Sequence, residues 1–274
     1  MPSRATEPER LSIAGLGSVG RSIVRRLSSD LSTYRLSAVS ARDQAKAKVF
    51  LDEQGIDVPI LPIEELGAVS DVVVEGLPPN LLPALGEPTL KAGADLVVLS
   101  VGGLLEHTQL IELAKQPGHG RVLVPSGAIP GLDAIGAANL GTIYSARMVT
   151  RKPPTGLKGA PFFETSDVDI DAVDEPTMLV KGPVREIIKG FPANLNVSVA
   201  VSLAGIGPDL TELEIWADPG VDRNMHTITV DSDSCSLTLT IANIPSENPK
   251  TGKVTALSVI SLLKKRHASL VVGS

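Results

Sequence analysis

The sequence predicts an α/β protein in two parts: an N-terminal doubly wound parallel sheet, then a C-terminal α+β domain with a mostly antiparallel sheet. Three observations support this fold class. Over residues 11–124, short apolar runs alternate with helical stretches, which is typical of a parallel sheet covered on both faces. The glycine motif GLGSVG, residues 15–20, joins the first apolar run to the first helical stretch. Beyond residue 126 the alternation stops, and strands joined by turn-rich segments predict antiparallel pairing.

Hydrophobic periodicity places the elements of the first part. Continuous apolar runs predict buried strands, and apolar residues at helical spacing predict the helices between them. The predicted strands cover residues 11–15, 35–40, 58–61 (a weak one), 71–75, 95–100 and 121–124. The predicted helices cover residues 18–28, 44–51, 81–92 and 108–115.

The second part contains one segment whose structure the pattern leaves open. FPANLNVSVAVSLAGIG, residues 191–207, alternates as a strand would, while Pro192, the small residues and the length also allow a buried helix ending at Gly205. Elsewhere the assignments are plainer, and the turn-rich DSDSCS predicts a hairpin between the last two strands. The predicted strands cover residues 146–150, 212–217, 226–230 and 237–241, and the helices cover 133–140 and 254–265.

Composition excludes several classes of protein. The net charge of -6 and the pI near 5.3 argue against nucleic-acid binding, which needs a clustered basic surface. Cys235 is the only cysteine, which excludes an intramolecular disulfide and a cysteine-built zinc site and favours a reducing compartment. No apolar run approaches the roughly 18 to 20 residues of a membrane helix, and the polar start MPSRATEPER predicts no secretory signal. We expect a cytoplasmic protein with no metal and no membrane or nucleic-acid partner.

The motif GLGSVG predicts a phosphate-binding loop because a strand precedes it and a helix follows it. Gly15 permits the tight turn, Gly17 lets the backbone approach a pyrophosphate, and Gly20 allows close contact between helix and strand. Free N–H groups at the helix start, at Ser18 and Val19, and the helix dipole favour the anion. A glycine-rich turn without a ligand is the alternative. The context favours a Rossmann-type dinucleotide-binding domain with NAD or NADP as the cofactor.

Ser40 and Arg42 bear on the choice between the two cofactors. A carboxylate about 20 residues beyond the glycines would bind the ribose 2′-hydroxyl of NAD. This sequence has SARD, residues 40–43, at the end of the second strand, and Ser40 with Arg42 is suited to the 2′-phosphate of NADP. NADP is therefore favoured or at least accepted, unless Arg42 is only a solvated surface charge.

The loops at the carboxyl ends of the strands are made of small residues, so they predict a cleft with little side-chain chemistry of its own. These loops are EGLPP (75–79), SVGG (100–103) and PSGAIPG (125–131). The reactive groups are therefore expected from the second half of the chain. There, TRKPPTGLKGAP carries three cations, Arg151, Lys152 and Lys158. Such a cluster suits a dicarboxylate substrate, although a solvated loop has the same pattern.

His226 is the candidate acid–base residue. It shares strand parity with Ile228 and Val230, which puts its imidazole on the apolar face. A core histidine with satisfied nitrogens is the usual reason for this position, and acid–base catalysis is the alternative, because a free imidazole titrates near neutrality. Weaker polar candidates are Asn194, Asn196, Asn243, Asn248 and Lys250.

Six segments, in matching order from about residue 11 to residue 264, resemble the L-aspartate dehydrogenases. They are IAGLGSVGRSIVRRL, PSGAIPGLDAIGAANLG, TRKPPTGLKGAP, FPANLNVSVAVSLAGIG, ADPGVDRNMHTITV and IPSENPKTGKVTALSVISLL. The resemblance implies a nicotinamide-binding Rossmann domain joined to an α+β domain that carries the substrate residues and the dimer contact. It implies oxidation of L-aspartate with NAD or NADP to iminosuccinate, which hydrolyses to oxaloacetate and ammonia, and the reverse reductive amination. In this family, iminosuccinate can feed nicotinamide biosynthesis.

The resemblance also implies roles for single residues. His226 matches the histidine of the N-x-H motif, the acid–base residue, and a pKa near neutrality would suit it to take protons as the amine is oxidised. Ala128 and Asn196 match contacts of the nicotinamide cofactor, and residues 194–204 are expected to form a helix. The loop Gly76–Pro79 is bulkier than the alanine-rich sequence of the family. A related amino-acid dehydrogenase or imine reductase is therefore the alternative, and a non-catalytic NAD(P) sensor is a third.

We accordingly divide the chain into three parts. Residues 1–125 form the dinucleotide-binding domain, residues 126–250 form the α+β substrate and dimerisation domain, and residues 251–274 form a C-terminal helix that packs back on the Rossmann domain. A homodimer is expected from the resemblance, with a small dicarboxylic amino acid as the partner of the site.

Overall fold

The structure is a computed structural model, and it describes residues 7–192, 195–245 and 252–273. The weaker candidates Asn194, Asn248 and Lys250 lie outside the described residues. The chain folds into two compact units: the first runs to Pro125 and takes in Ala256–Val271, and the second contains Ser126–Thr255. Each unit has its own five-stranded sheet.

The described residues contain ten strands and ten α-helices, linked by short turns. The strands are β1 (Glu9–Ala14), β2 (Tyr34–Ser40), β3 (Val72–Glu75), β4 (Asp95–Val98), β5 (Val122–Leu123), β6 (Ile143–Lys152), β7 (Thr177–Pro183), β8 (Glu212–Ala217), β9 (Asn224–Ser232) and β10 (Ser236–Asn243). The helices are α1 (Ser18–Arg25), α2 (Leu27–Asp30), α3 (Gln44–Glu53), α4 (Leu82–Lys91), α5 (Gly103–Glu106), α6 (Gln109–Ala114), α7 (Leu132–Ala138), α8 (Val184–Ile187), α9 (Asn196–Ala204) and α10 (Lys253–Lys265).

The first sheet is parallel throughout, in the order β2-β1-β3-β4-β5. Its strand order reverses between β1 and β3, and in open α/β sheets ligands bind outside the carboxyl ends of the strands at such a point. The weak strand that we predicted at residues 58–61 is reduced to a single bridge between Val39 and Ile60.

The core of the first unit is mostly aliphatic, and the C-terminal helix is part of it. Leu11 of β1 and Val74 of β3 belong to the same buried cluster as Val259 and Leu263 of α10. The buried Tyr34 hydroxyl donates to the Leu263 carbonyl at 3.0 Å, which adds a directional contact to this packing. Burying such side chains contributes about 1.5 to 3 kcal/mol each, enough to hold a 13-residue helix that would be marginal alone.

The second sheet has the order β10-β9-β6-β8-β7, and every neighbouring pair is antiparallel except β6 with β8. One face is buried: along β9, His226, Ile228 and Val230 are buried, whereas Thr227 and Thr229 are more exposed. The alternation expected of a half-buried strand is therefore present, with His226 on the inner face.

The predicted fold class is confirmed, and two local features are resolved by the structure. The ambiguous segment forms the helix α9, consistent with its small side chains and with Gly205 at its C-terminal end. Strand β7, TMLVKGP, was not predicted, because Gly182 and Pro183 are residues that usually interrupt strands. Within the described residues, none of the helices has the length and apolar character needed to cross a bilayer.

Candidate active site

The glycine loop connects β1 to α1, and two of its three glycines are required by the fold itself. Gly15 has φ +98°, and a Cβ there would lie 2.5 Å from the Gly76 carbonyl oxygen. A Cβ on Gly20 would collide with the Gly15 carbonyl oxygen. Any side chain at these positions would separate the two loops or push the helix away from the strand.

Gly17 is different, and its environment provides a test of whether a dinucleotide fits. Its φ of -76° is open to any residue, and a Cβ there would meet no atom of the described chain within 4 Å. Protein packing therefore gives no reason for glycine at this position. The close approach of a pyrophosphate to the backbone does give one.

The N-terminus of α1 also fits an anion. Gly17 is the N-cap residue and offers no side chain to the first N–H groups, and the first turn contains no acidic residue. These N–H groups carry the positive end of the helix dipole, which favours a phosphate. Ser18 and Val19 are the first two residues of this turn.

Ser40 is the last residue of β2, Arg42 comes two residues later, and this end of the strand lies beside the glycine loop. The carbonyl of Ser40 accepts the Gly15 N–H at 2.8 Å, so the end of β2 adjoins the loop. Arg42 is exposed. The nearby carboxylate of Asp43 accepts the Lys46 N–H at 3.0 Å and caps α3. The acidic residue closest to the strand end thus already serves the helix.

His226 lies on the inner face of the second sheet, directly opposite Thr150 of β6. The imidazole is 3 % exposed, and its Nδ1 lies 3.1 Å from the hydroxyl oxygen of Thr150, which is fully buried. This hydrogen bond sets the orientation of the ring. Sequence reasoning did not identify Thr150, because the two residues are 76 positions apart and only strand register pairs them.

The environment of His226 keeps its ring neutral. Burial and, to a smaller extent, the positive charge of Lys152 together lower the pKa of His226 to about 3. Our expectation of a pKa near neutrality is therefore wrong for the protein without substrate. The physical reason is that the apolar surroundings and a neighbouring cation both penalise a second positive charge.

The three predicted cations do not form one cluster. Residues adjacent in a strand point to opposite faces, so Lys152 shares the inner face with Thr150 while Arg151 points outward. Lys152 is 2 % exposed. On the outer face, Arg151 pairs with Asp218 at 3.1 Å and stacks 4.5 Å from the centre of the Trp216 ring.

Lys158 lies apart from both, in the loop between β6 and β7. Its side chain is about half exposed and pairs with Asp171. The same loop passes beside the start of β9, since a Cβ on Gly156 would lie 3.8 Å from the Asn224 side-chain oxygen. Of the three cations, Lys152 is the one that the sheet places on the face of His226.

The remaining predicted contacts lie at two other points of the second unit. Ala128 is buried, and its carbonyl accepts a hydrogen bond from the Asn243 side-chain amide at 3.3 Å. Asn196 is the first residue of α9, as the resemblance implied. Across the described ranges, no three His, Cys, Asp or Glu side chains come together as a metal site would require.

Comparisons with known proteins agree with this architecture. A family model described as "Homoserine dehydrogenase, NAD binding domain" matches residues 15–125, and one described as "Aspartate dehydrogenase, C-terminal" matches residues 133–266. Among solved structures, aspartate dehydrogenase from Thermotoga maritima has a TM-score of 0.71 at 22% identity and covers 97% of this chain and 99% of that one. Biliverdin reductase from Synechocystis has a TM-score of 0.54 at 14% identity, covering 97% and 93%. At these identities the structures establish the fold.

Closer relatives establish more than the fold. An L-aspartate dehydrogenase from Bradyrhizobium diazoefficiens is 53% identical over 270 residues, which cover 98% of this chain and 96% of that protein. "L-aspartate dehydrogenase 3" from Bordetella bronchiseptica is 51% identical over 265 residues, covering 96% and 97%. The predicted resemblance, the NAD(P) cofactor and the assignment as an NAD(P)-dependent dehydrogenase are confirmed. The chain belongs to the L-aspartate dehydrogenase family.

Proposed function

We propose that the protein catalyses the NAD(P)-dependent oxidative deamination of L-aspartate to iminosuccinate, which hydrolyses to oxaloacetate and ammonia, and the reverse reductive amination. The observation that carries this proposal is the buried row formed by Lys152, Thr150 and His226 on one face of the second sheet. It combines a cation with an oriented imidazole, as an amino acid with an extra carboxylate requires. The family and its relatives named L-aspartate dehydrogenase support the choice of substrate.

We assign the cofactor to the first unit as a dinucleotide-binding domain, residues 1–125. Bound NAD(P)⁺ supplies a hydride acceptor for the substrate Cα. The backbone of the glycine loop and the start of α1 hold the pyrophosphate, with Gly17 allowing its close approach. Ser40 and Arg42 hold the 2′-phosphate when NADP is used. The proposed cofactor contacts in this unit are Gly15, Gly17, Ser18, Val19, Gly20, Ser40 and Arg42. The family resemblance adds Ala128 and Asn196 to these proposed contacts.

Lys152 is the proposed partner of a substrate carboxylate. Lys152 is 2 % exposed and shares the inner face of the sheet with His226, and an ammonium group there is suited to bind a carboxylate. Lys158 is the second proposed cation, and it would have to exchange its pairing with Asp171 for the substrate. Arg151 lies on the opposite face of the sheet from Lys152 and His226, so we do not assign it to substrate binding.

His226 is the proposed acid–base residue, acting at Nε2 because Nδ1 is engaged with Thr150. When a substrate carboxylate neutralises Lys152, one of the two causes that lower the pKa of His226 is removed. The imidazole then accepts a proton more readily, from the substrate amine or from the water that hydrolyses the imine. Substrate binding would thus raise the pKa of His226, the residue that acts as the base.

The experiment is steady-state absorbance of the reduced nicotinamide with L-aspartate or D-aspartate and with NAD or NADP. We expect turnover with the L-enantiomer alone. His226→Asn should lower kcat by about a hundredfold or more while leaving the dissociation constant of the cofactor unchanged. His119→Asn is the matched control and should be fully active. Folded protein with no turnover of L-aspartate, but turnover of another amino acid or keto acid, would transfer the proposal to that substrate.

We further propose a cytoplasmic homodimer, with residues 126–250 as the dimerisation domain and residues 251–274 as the helix completing the Rossmann domain. We infer a reducing compartment from the single cysteine. We propose that the dimer contact is on the outer face of the second sheet, where Thr229 is exposed. Light scattering after size exclusion should give twice the chain mass. Thr229→Glu should give the single-chain mass, since it would bury two added carboxylates near the interface, and an unaltered dimer would point to another surface.

A further inference from the structure

Glu75 is a buried carboxylate that the proposed chemistry does not use. It is the last residue of β3 and is 0 % exposed. Its Oε1 accepts the Leu77 N–H at 2.6 Å, and its Oε2 accepts the N–H groups of Leu99 and Ser100 at 2.9 and 2.8 Å. A single side chain therefore holds the first residues after β3 and the first residues after β4.

Burying a carboxylate costs free energy, because the group leaves water. None of the ion pairs among the described residues includes Glu75. Burial raises the pKa of Glu75, and the three N–H donors act in the opposite direction by favouring the charged form. The chain thus keeps a buried carboxyl group at a site where its two oxygens accept three hydrogen bonds from backbone N–H groups.

Glu75 lies beside the loop that contacts the glycine loop. The Gly76 N–H donates to the Ala14 carbonyl at 2.8 Å, and Gly76 lies against Gly15, so the loop after β3 touches the glycine loop. Glu75 continues this connection to Ser100. The loops after β1, β3 and β4 are therefore linked in series along the carboxyl ends of the sheet.

In a doubly wound sheet, the dinucleotide lies across the point where the strand order reverses, with one mononucleotide on each side. The glycine loop and β2 serve the adenosine side. The segments that Glu75 holds lie on the other side of β1, after β3 and β4. Their conformation therefore bears on the nicotinamide half.

We propose that Glu75 is a positioning residue that holds the segments after β3 and β4 in the conformation that receives the nicotinamide mononucleotide half of the cofactor. It acts through the backbone of Leu77, Leu99 and Ser100 and makes no contact with substrate. The proposal is independent of aspartate being the substrate, because it concerns cofactor binding only.

The test compares Glu75→Gln with Asp95→Asn. Asp95 is a buried carboxylate at the amino end of β4, where it accepts the Arg121 N–H at 2.7 Å and pairs with Arg266. It matches Glu75 in burial and sheet but lies at the opposite end. The probes are NADPH, followed by its fluorescence, and 2′,5′-ADP, which represents the adenosine half alone.

We expect Glu75→Gln to bind NADPH about tenfold more weakly, as for the loss of one well-made hydrogen bond. Its affinity for 2′,5′-ADP should stay within about twofold of the native value. Asp95→Asn should lower the thermal midpoint and leave both affinities unchanged. Equal losses for NADPH and 2′,5′-ADP in Glu75→Gln, or no loss for either, would overturn the proposal.

Hydrogen exchange on the native protein keeps the proposal testable if Glu75→Gln does not fold. The amides of Leu77, Leu99 and Ser100 should be protected without cofactor and should gain protection with NADPH but not with 2′,5′-ADP. Rapid exchange at these amides in the native protein would show that the hydrogen bonds are absent. The same protection with both ligands would refute the assignment to the nicotinamide half.

Discussion

Acidification should destabilise the second unit through His226, and the effect can be worked out from its surroundings. Burial and Lys152 lower the pKa of this ring from 6.5 to about 3, so the folded protein holds it neutral while the unfolded chain protonates it below 6.5. Stability rises with pH wherever the unfolded state binds more protons. The contribution is therefore fully present above pH 6.5 and is lost progressively as the pH falls from 6.5 to about 3.

The magnitude follows from the same values. Each pH unit below 6.5 costs about 1.4 kcal/mol until the folded ring also protonates near pH 3. At pH 5, about 1.5 pH units below the ordinary value, the loss is about 2 kcal/mol. Over the whole range it approaches about 5 kcal/mol, which is comparable with the total stability of a small domain.

The assay is urea unfolding at pH 7 and pH 5, followed by the fluorescence of Trp216. This is the only tryptophan in the sequence, and it lies in β8, so it reports on the second unit. The native protein should lose about 2 kcal/mol more than His226→Gln between the two pH values, because the amide does not titrate. His119→Gln, which removes a histidine of the first unit, should behave like the native protein. Equal pH dependence in the native protein and His226→Gln would refute the assignment of a buried neutral ring.

Three further predictions concern the same two units. Thr150→Val keeps the shape of the side chain but leaves the imidazole Nδ1 without its hydrogen-bond partner. We expect the free energy of unfolding in urea to fall by about 1 to 2 kcal/mol and kcat to fall as well. Thr150→Ser should restore both. An unchanged kcat in the valine variant would show that the hydrogen bond does not matter for catalysis. Lys152→Met should raise the KM for L-aspartate by about tenfold or more, because a charged hydrogen bond is lost. It should also shift the pH profile of kcat, because the pKa of His226 rises when the neighbouring cation is removed. An unchanged KM would show that the substrate carboxylate binds elsewhere. Gly20→Ala should cost about 1 to 3 kcal/mol in thermal or urea unfolding because its Cβ meets backbone, whereas Gly17→Ala should leave stability unchanged and weaken cofactor binding by about tenfold in a fluorescence titration. Equal cofactor affinity in Gly17→Ala and the native protein would contradict the role of that glycine.

Local patterns were sufficient for several features. The strand, glycine motif and helix at residues 11–28 predicted the loop, because the positive φ of Gly15 and the close contact between Gly20 and Gly15 both belong to this one turn. The alternation at His226, Ile228 and Val230 predicted which face of β9 is buried, since strand periodicity needs no long-range information.

The cationic segment shows where local reasoning stopped. The predicted strand ended at Thr150, but β6 continues to Lys152 before Pro153 ends it. Those two extra strand residues send Arg151 and Lys152 to opposite faces and divide what reads in the sequence as one cluster. The length of β6 depends on its pairing with β8 and β9, which lie more than 60 residues away in the chain.

The sequence by itself determined the fold class, the family and the location of the glycine loop between β1 and α1, because periodicity, glycine geometry and long matching segments are read along the chain. Only the tertiary structure decided that His226 is neutral, that Thr150 orients it, and that Lys152 rather than Arg151 shares its face. The reason is that strand register and burial set a pKa and a hydrogen-bond partner, and both arise from residues brought together across the sheet.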